Sequence, residues 1–155
     1  MKFLVTGSAG FIGYHIARMI LENFKRSSVV GIDNLNSYYS IKLKKKRISI
    51  LDQSKFFKFK KLDLINRDEL NKFFNKENFD YVFHFAAQAG VRFSLDNLEK
   101  YAGSNILVFF NLLNSLKNLQ TLYYIFYLNF LLFLYIVGLV LIDNIVLLLY
   151  LFLHF

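Results

Sequence analysis

TGSAGFIG, at residues 6–13, decides the fold of this chain. It joins a short apolar run at residues 2–6, typical of a buried strand, to an amphipathic run with Ile12, Ile16 and Ile20 at four-residue steps, which predicts a helix. A strand that enters a helix through a glycine-rich turn presents the N–H groups and positive dipole end of the helix to an anion. The stretch therefore predicts a phosphate-binding loop at the start of an α/β fold.

Three glycines in this stretch, Gly7, Gly10 and Gly13, have the spacing of a dinucleotide-binding turn. The first allows the tight turn, the second lets the backbone approach a pyrophosphate, and the third lets the helix pack closely on the strand. A second apolar run, residues 29–32, ends in Asp33, where such a fold places an acid on the adenosine ribose hydroxyls. Because a carboxylate repels a 2'-phosphate, the sequence predicts NAD rather than NADP as the cofactor.

The apolar runs that follow alternate with helical patterns. Strands are predicted at residues 56–62 and 81–85, and a helix between them begins at Asn66, which forms a capping pair with Glu69. This alternation predicts right-handed crossovers and a doubly wound parallel sheet, the N-terminal part of a Rossmann fold, over residues 1–118. The inward-facing positions are predicted to be Leu70, Phe73 and Phe74 in this helix, and Ile106, Phe109, Leu113 and Leu116 in the next.

Composition excludes some kinds of site. The chain has no Cys, so disulfides and thiolate metal sites are excluded, and a reducing compartment such as the cytoplasm is expected. Its three His share no metal-ligand spacing, and we expect no metal site. His84, inside an apolar run, is predicted to be a strand residue rather than a ligand.

Positive charge is confined to the first part of the chain. Residues 1–118 carry 19 Lys and Arg and 10 acids, a formal charge of +9, whereas the last 37 residues carry −1. The densest basic segment, KLKKKR at residues 42–47, would suit nucleic acid or a membrane surface. Because no nucleic-acid-binding motif accompanies it, we predict a solvated helical face and no nucleic-acid partner.

Several segments together resemble the extended short-chain dehydrogenases. They are TGSAGFIG, GIDNLNSYY at residues 31–39, the basic segment after it, LDL at 62–64, and FHFAAQAGVRFSLDN at 83–97. They are most similar to the UDP-glucuronate 4-epimerases of the NAD-dependent epimerase/dehydratase family. The resemblance covers residues 1 to about 118. It implies bound NAD and a nucleotide sugar, a UDP-uronate, as substrate.

Carried over by position, the resemblance implies contacts along the whole cofactor. The pyrophosphate would be lined by Gly7, Gly10, Phe11, Ile12 and Gly13, the adenosine ribose by Asp33, Asn34 and Asn36, and the adenine by Asp63 and Leu64. The nicotinamide riboside would lie over Phe85, Ala86, Ala87 and Gln88, with Asn105 behind it, and the sugar pocket would be bordered by Gln88, Arg92 and Ser94. Arg92 suits either a uronate carboxylate or phosphate, or a salt bridge that fixes its loop.

The chemistry that the resemblance implies is transient oxidation of sugar C4 by NAD, rotation of the keto sugar, and return of the hydride to the opposite face. It requires a Tyr base, a Lys four residues later that lowers the Tyr pKa, and a Ser or Thr. This chain has no Lys after Lys117. Its one Tyr-x-x-x-Lys match, Tyr38 with Lys42, follows the second strand, near the adenosine end. We therefore assign no catalytic residue and expect no epimerisation by this chain alone.

The apolar tail, residues 119–155, has three interpretations. The 25 uncharged residues at 118–142 exceed the ~20 that cross a bilayer as a helix, which would tether a cytoplasmic domain to a membrane. Residues 122–126, LYYIF, would instead form a fifth strand beside the fourth. The tail also lacks Lys, Arg, Glu, Ala, Ser, Met and Pro, which is typical of T-rich DNA read out of frame. We favour truncated or out-of-frame sequence over a genuine anchor.

Overall fold

A computed structural model describes residues 1–88, 99, 101 and 103–117, and the backbone of residues 124–127. Five parallel strands form one sheet in the order β3-β2-β1-β4-β5. The strands are β1 Lys2–Thr6, β2 Ser28–Asp33, β3 Phe57–Lys61, β4 Tyr81–His84 and β5 Tyr124–Tyr127. The helices are α1 Phe11–Asn23, α2 Ile41–Leu51, α3 Arg67–Phe74 and α4 Val108–Leu116, with a π-helical turn at Gly103–Leu107 before α4. The predicted doubly wound α/β fold is confirmed.

Alternating residues of the central strand divide the core between the two faces of the sheet. Leu4 is fully buried in a cluster with α3 and α4, whereas Phe3 and Val5 belong to a cluster with α1 and α2. This is the expected consequence of a two-residue side-chain period in a strand covered on both faces. The sheet is thereby held between two helical layers, and its carboxyl edge is left for the loops.

The edge strand β3 differs from the strands beside it. Phe57 is buried against the core, but Lys58, Lys60 and Lys61 are exposed. Each lysine lies on or next to the free edge of the sheet. A lysine-rich edge strand disfavours pairing with a further strand.

Two predicted helix faces need correction. On α1 the buried residues are Gly13, Tyr14, Ala17 and Ile20, while Ile12 is 45% exposed. The first isoleucine of the predicted stripe therefore lies outside the core, because the glycine and alanine positions of α1 are the ones that approach the sheet.

The predicted face of the last helix is correct at Leu116, which is buried, and wrong at its N-terminal end. Ile106 is 53% exposed, and the buried set instead includes Asn111 and Ser115. Both polar side chains have partners: Asn111 donates to the Leu64 carbonyl at 3.2 Å, and Ser115 donates to Asn71 Oδ1 at 2.8 Å. A prediction from apolar residues alone misses buried positions of this kind, because a polar side chain can be buried when it is hydrogen-bonded.

The helix between β3 and β4 agrees with its prediction. Asn66 Oδ1 accepts the backbone N–H of Glu69 at 3.2 Å, which caps α3. Leu70, Phe73 and Phe74 are buried, and the rings of Phe73 and Phe74 pack against the ring of Phe79.

Most of the predicted tail lies outside the described residues. Within it, Tyr124–Tyr127 pairs in parallel with β4, so the backbone favours the fifth-strand interpretation with bounds shifted by up to two residues. Among the described residues, none of the helices combines the length and apolar character that a membrane crossing requires.

Gly31 in β2 is required by close packing beneath the β1–α1 loop. A Cβ at this position would lie 2.6 Å from Ser8 Oγ and 2.8 Å from Phe57 Cζ. Both neighbours are buried and neither can withdraw easily. Gly103 is the matched contrast, since a Cβ there would meet only Ile65 Cδ1, at an ordinary 3.7 Å.

We therefore expect Gly31→Ala to lower the free energy of unfolding by about 1–3 kcal/mol through overpacking. Gly103→Ala is expected to leave it unchanged or raise it by up to about 1 kcal/mol, because Ala is the better helix former. Urea unfolding followed by far-UV circular dichroism measures both variants. Equal effects at the two positions would contradict the packing assigned to Gly31.

Candidate dinucleotide-binding site

A cleft opens at the carboxyl ends of β1, β2 and β4, where the strand order reverses on either side of β1. Open parallel sheets bind ligands at this switch point. The described residues that line the cleft include most of the predicted cofactor positions: Gly7, Gly10, Asp33, Asn34, Asn36, Asp63, Leu64, Phe85, Ala86, Ala87 and Gln88. Four segments that are separate in the sequence thus line one cleft.

The glycine loop is folded back on itself before α1 begins. Gly7 has a φ of +69°, and its carbonyl accepts the N–H of Gly10 at 2.8 Å. A Cβ on Gly13 would collide with that same carbonyl, and one on Gly7 would lie 2.8 Å from Ala86 N. The loop therefore requires glycine at these positions, because it contacts both its own helix and the end of β4.

The α1 N-terminus is open to the cleft. Gly10 provides no side-chain cap, so the first N–H groups of the helix remain available to a ligand. The side chains of Phe11 and Ile12 are 68% and 45% exposed. For these two predicted positions, contact with a phosphate would therefore involve the main chain.

Asp33 ends β2 beneath this loop and is 8% exposed. Its Oδ2 accepts the Ala9 N–H at 3.2 Å, and its Oδ1 accepts the Leu35 N–H at 2.8 Å. A carboxylate has about four acceptor positions. Two hydrogen bonds to the protein therefore leave capacity for the hydroxyls of a ribose.

The loops after β2 and β3 are joined across the cleft. Asn34 Nδ2 donates to Asp63 Oδ2 at 3.1 Å, and Asp63 Oδ1 accepts the Ile65 N–H at 3.1 Å. Asn34 also accepts the N–H of Asn36 at 3.0 Å. The predicted ribose and adenine positions are thus brought together, with Leu64 buried behind them.

The segment that follows β4 is held by hydrogen bonds with Thr6 and with Asn105. Thr6 Oγ1 accepts the Ala86 N–H at 3.2 Å and is 2.6 Å from His84 Nδ1. Asn105 forms two hydrogen bonds with the main chain of Gln88, donating to its carbonyl at 3.1 Å and accepting its N–H at 2.9 Å. Asn105 lies behind the predicted nicotinamide segment, as expected, and it acts there on the backbone.

Three side chains of the site were missed by the sequence analysis. The prediction of a solvated basic face on α2 is wrong for Lys44, which is 4% exposed and lines the cleft. Arg47 donates to the Ala9 carbonyl at 3.1 Å and to the Tyr39 hydroxyl at 3.2 Å. Burial lowers the pKa of Lys44, although Asp33 opposes the shift, and burial raises the pKa of Tyr39. The available signal was the helical spacing of Lys44 from Ile48 and Leu51, the other buried residues of α2.

The remaining predicted positions divide as follows. Arg92 and Ser94 lie outside the described residues. Tyr38 is 48% exposed and Lys42 is exposed on α2, both beyond β2 and separated from β4 by β1. This Tyr-x-x-x-Lys pair therefore lies beside β2 and away from the end of β4.

The fold and the site define a dinucleotide-binding α/β protein. A family model described as the NAD dependent epimerase/dehydratase family matches residues 3–127, and the chain belongs to this family, so its cofactor is NAD. The match continues nine residues past the predicted boundary at residue 118, through β5.

Individual relatives agree with this assignment. The chain is 43% identical over 111 residues to a UDP-glucuronate 4-epimerase of Thermodesulfobacterium geofontis, covering 72% of this chain and 34% of the relative. It is 41% identical over 110 residues to UDP-glucuronate 4-epimerase 4 of Arabidopsis thaliana, covering 71% and 24%. The crystal structure of a Bacillus cereus UDP-glucuronic acid 4-epimerase in complex with UDP-glucuronic acid and NAD superimposes with a TM-score of 0.69, at 38% identity, covering 77% of this chain and 37% of that one. The chain spans about a quarter to a third of the length of its curated relatives.

His84 gives the site a distinct pH dependence. Burial lowers its pKa to about 4, well below the ordinary value of 6.5. The unfolded chain therefore takes up this proton first as the pH falls. The stabilising contribution of neutral His84 is fully present above about pH 6.5 and is lost progressively toward pH 4.

We expect the free energy of unfolding to fall by about 3 kcal/mol over this interval through His84 alone. The measurement is urea unfolding at half-unit pH steps, with the curve of His84→Asn subtracted from that of the wild type. His15→Asn is the control, because His15 is exposed on α1. A difference curve that is flat between pH 4 and 6.5 would contradict a neutral, buried His84.

Proposed function

We propose that this chain is the NAD-binding portion of a nucleotide-sugar 4-epimerase that interconverts UDP-glucuronate and UDP-galacturonate. One observation carries the proposal most directly: the Asp33 carboxylate lies beneath the glycine loop with acceptor capacity facing the cleft. The similarity to UDP-glucuronate 4-epimerases of bacteria and plants supports the choice of substrate.

In this proposal the chain holds NAD along the carboxyl edge of its sheet. The glycine loop and the α1 N-terminus bind the pyrophosphate through main-chain N–H groups. Asp33, Asn34 and Asn36 bind the adenosine ribose, and Asp63 with Leu64 borders the adenine. Discrimination against NADP follows from the charge of Asp33, which would repel a 2'-phosphate.

The nicotinamide half would lie over residues 85–88. The hydrogen bonds of Asn105 to Gln88 and of Thr6 to Ala86 restrain the main chain of this segment, which would support the nicotinamide riboside. Bound NAD supplies the hydride acceptor for oxidation of sugar C4. Arg92 and Ser94 would bind the nucleotide sugar, with Arg92 facing its carboxylate or phosphate.

The site can be tested by the affinity for NAD. We expect Asp33→Asn to weaken NAD binding at least about tenfold, because a charged acceptor for two ribose hydroxyls is replaced by a neutral amide. Isothermal titration calorimetry with NAD measures the effect. Asp52→Asn is the matched control, since Asp52 is an exposed acid at the end of α2. Equal affinities for the wild type and Asp33→Asn, with both proteins folded, would overturn the assigned ribose site.

The chain by itself is not expected to epimerise. A Tyr base with a Lys four residues later is needed at the sugar, and the only such pair in the sequence, Tyr38 with Lys42, lies on the adenosine side. The purified 155-residue chain, incubated with NAD and UDP-glucuronate, should form no UDP-galacturonate by chromatography. The Thermodesulfobacterium relative serves as the positive control. Product formation by the chain alone would contradict this expectation.

The alternative is a non-catalytic NAD-binding module tethered to a membrane. It rests on the uncharged run at residues 118–142. The backbone of Tyr124–Tyr127 within that run pairs with β4, which supports an extended sheet over a continuous helix. We therefore prefer the epimerase portion.

A further inference from the structure

Lys44 is a buried cation whose role neither the fold nor the proposed cofactor contacts explain. It lies on α2, where Lys42, Lys45 and Lys46 are exposed, yet its side chain is only 5% exposed. Full burial of a lysine is rare unless its charge is paired or hydrogen-bonded, because the desolvation cost is several kcal/mol. The contacts of the ammonium therefore indicate what the burial achieves.

Those contacts converge on the loop that follows β2. Lys44 Nζ donates to the Asn36 carbonyl at 3.0 Å and to Asn36 Oδ1 at 2.8 Å. It lies 3.9 Å from Asp33 Oδ1 and 4.6 Å from the centre of the Tyr39 ring. One charged group thus contacts the start, the middle and the end of the loop.

The loop needs such a restraint. Leu35 has a φ of +56°, a left-handed conformation that a branched residue adopts only at a cost of about 1–2 kcal/mol. The Leu35 N–H is held by Asp33 Oδ1, and the Tyr38 N–H is held by Asn36 Oδ1 at 3.4 Å. Both acceptors also face Lys44. Removing the ammonium would therefore loosen the turn through Asn36 and take away one of the charges that orient the Asp33 carboxylate.

We propose that Lys44 is a positioning residue of the adenosine-ribose site, which orients Asp33 and Asn36 toward the 2'- and 3'-hydroxyls of the dinucleotide. The inference rests on the proposed NAD site and assigns the precision of ribose recognition to a residue outside the expected contacts. Lys44 acts through its neighbours. Its loss should therefore reduce the difference in affinity between ligands with and without a ribose hydroxyl.

The test compares NAD with 2'-deoxyadenosine-NAD, which lacks one ribose hydroxyl. In the wild type the missing hydroxyl is expected to weaken binding roughly tenfold, as for a lost hydrogen bond to a charged group. In Lys44→Met that penalty should shrink to about twofold or less, and NAD itself should bind more weakly. Lys45→Met, an exposed lysine on the same helix, should keep the full penalty. Lys44→Gln replaces the methionine variant if the latter does not fold.

This ratio separates positioning from stability. If Lys44 were only structural, its substitution would weaken the binding of NAD and of the 2'-deoxy analogue equally. The ratio of the two affinities would then be unchanged, which would overturn the proposal. Wild-type protein that binds NAD without any 2'-hydroxyl penalty would also overturn it, while leaving NAD binding itself intact. Folded wild type that does not bind NAD at all would instead defeat the proposed function, and the inference with it.

Hydrogen exchange gives a measurement that needs no ligand. In Lys44→Met the amides of Leu35 and Tyr38 should exchange at least about tenfold faster than in the wild type, because their acceptors are no longer held. The amides of Val30 and Leu4, in the centre of the sheet, should be unchanged. Unchanged protection at Leu35 and Tyr38 would overturn the proposed restraint.

Discussion

The position of α1 on the sheet is constrained by the close contact between the Gly7 carbonyl and the α1 backbone at Gly13. No side-chain carbon fits between them, so α1 starts directly against the loop that leaves β1. The same turn brings Gly7 against the end of β4. Because one loop contacts two strands and a helix, its geometry sets the position of the α1 N-terminus relative to the sheet.

Asp33 extends this constraint to the second strand. Its carboxylate holds the Ala9 N–H of the glycine loop with one oxygen and the Leu35 N–H of the following loop with the other. An acid at this position is therefore part of the architecture before any ligand arrives. The arrangement pre-organises the carboxylate, and a pre-organised group loses less entropy when it binds a ligand. Lys44 and Arg47 on α2 add hydrogen bonds to the same two loops.

The elements that repeat a simple pattern were predictable from the sequence. The glycine spacing, the acid after β2 and the Asn66 cap each depend on local chemistry, and each lies where it was expected. The faces of α1 and α4 were misjudged, because small residues and hydrogen-bonded polar residues occupy buried positions that a count of apolar residues does not register. Lys44 was missed for a related reason: it shares a helical face with Ile48 and Leu51, and a reading of the segment by its charge does not register that spacing.

The two edges of the sheet have opposite characters, and this has a consequence for how the architecture is extended. The β3 edge alternates phenylalanine with lysine, and its charges would have to lose their water for another strand to join it. The β5 edge belongs to a segment of sequence with no charged side chain between residues 118 and 142. Addition of any further strand, from this chain or from another molecule, is therefore directional. Within the described sheet, the lysines of β3 therefore oppose a further strand, whereas the sequence of β5 carries no charge that would do so.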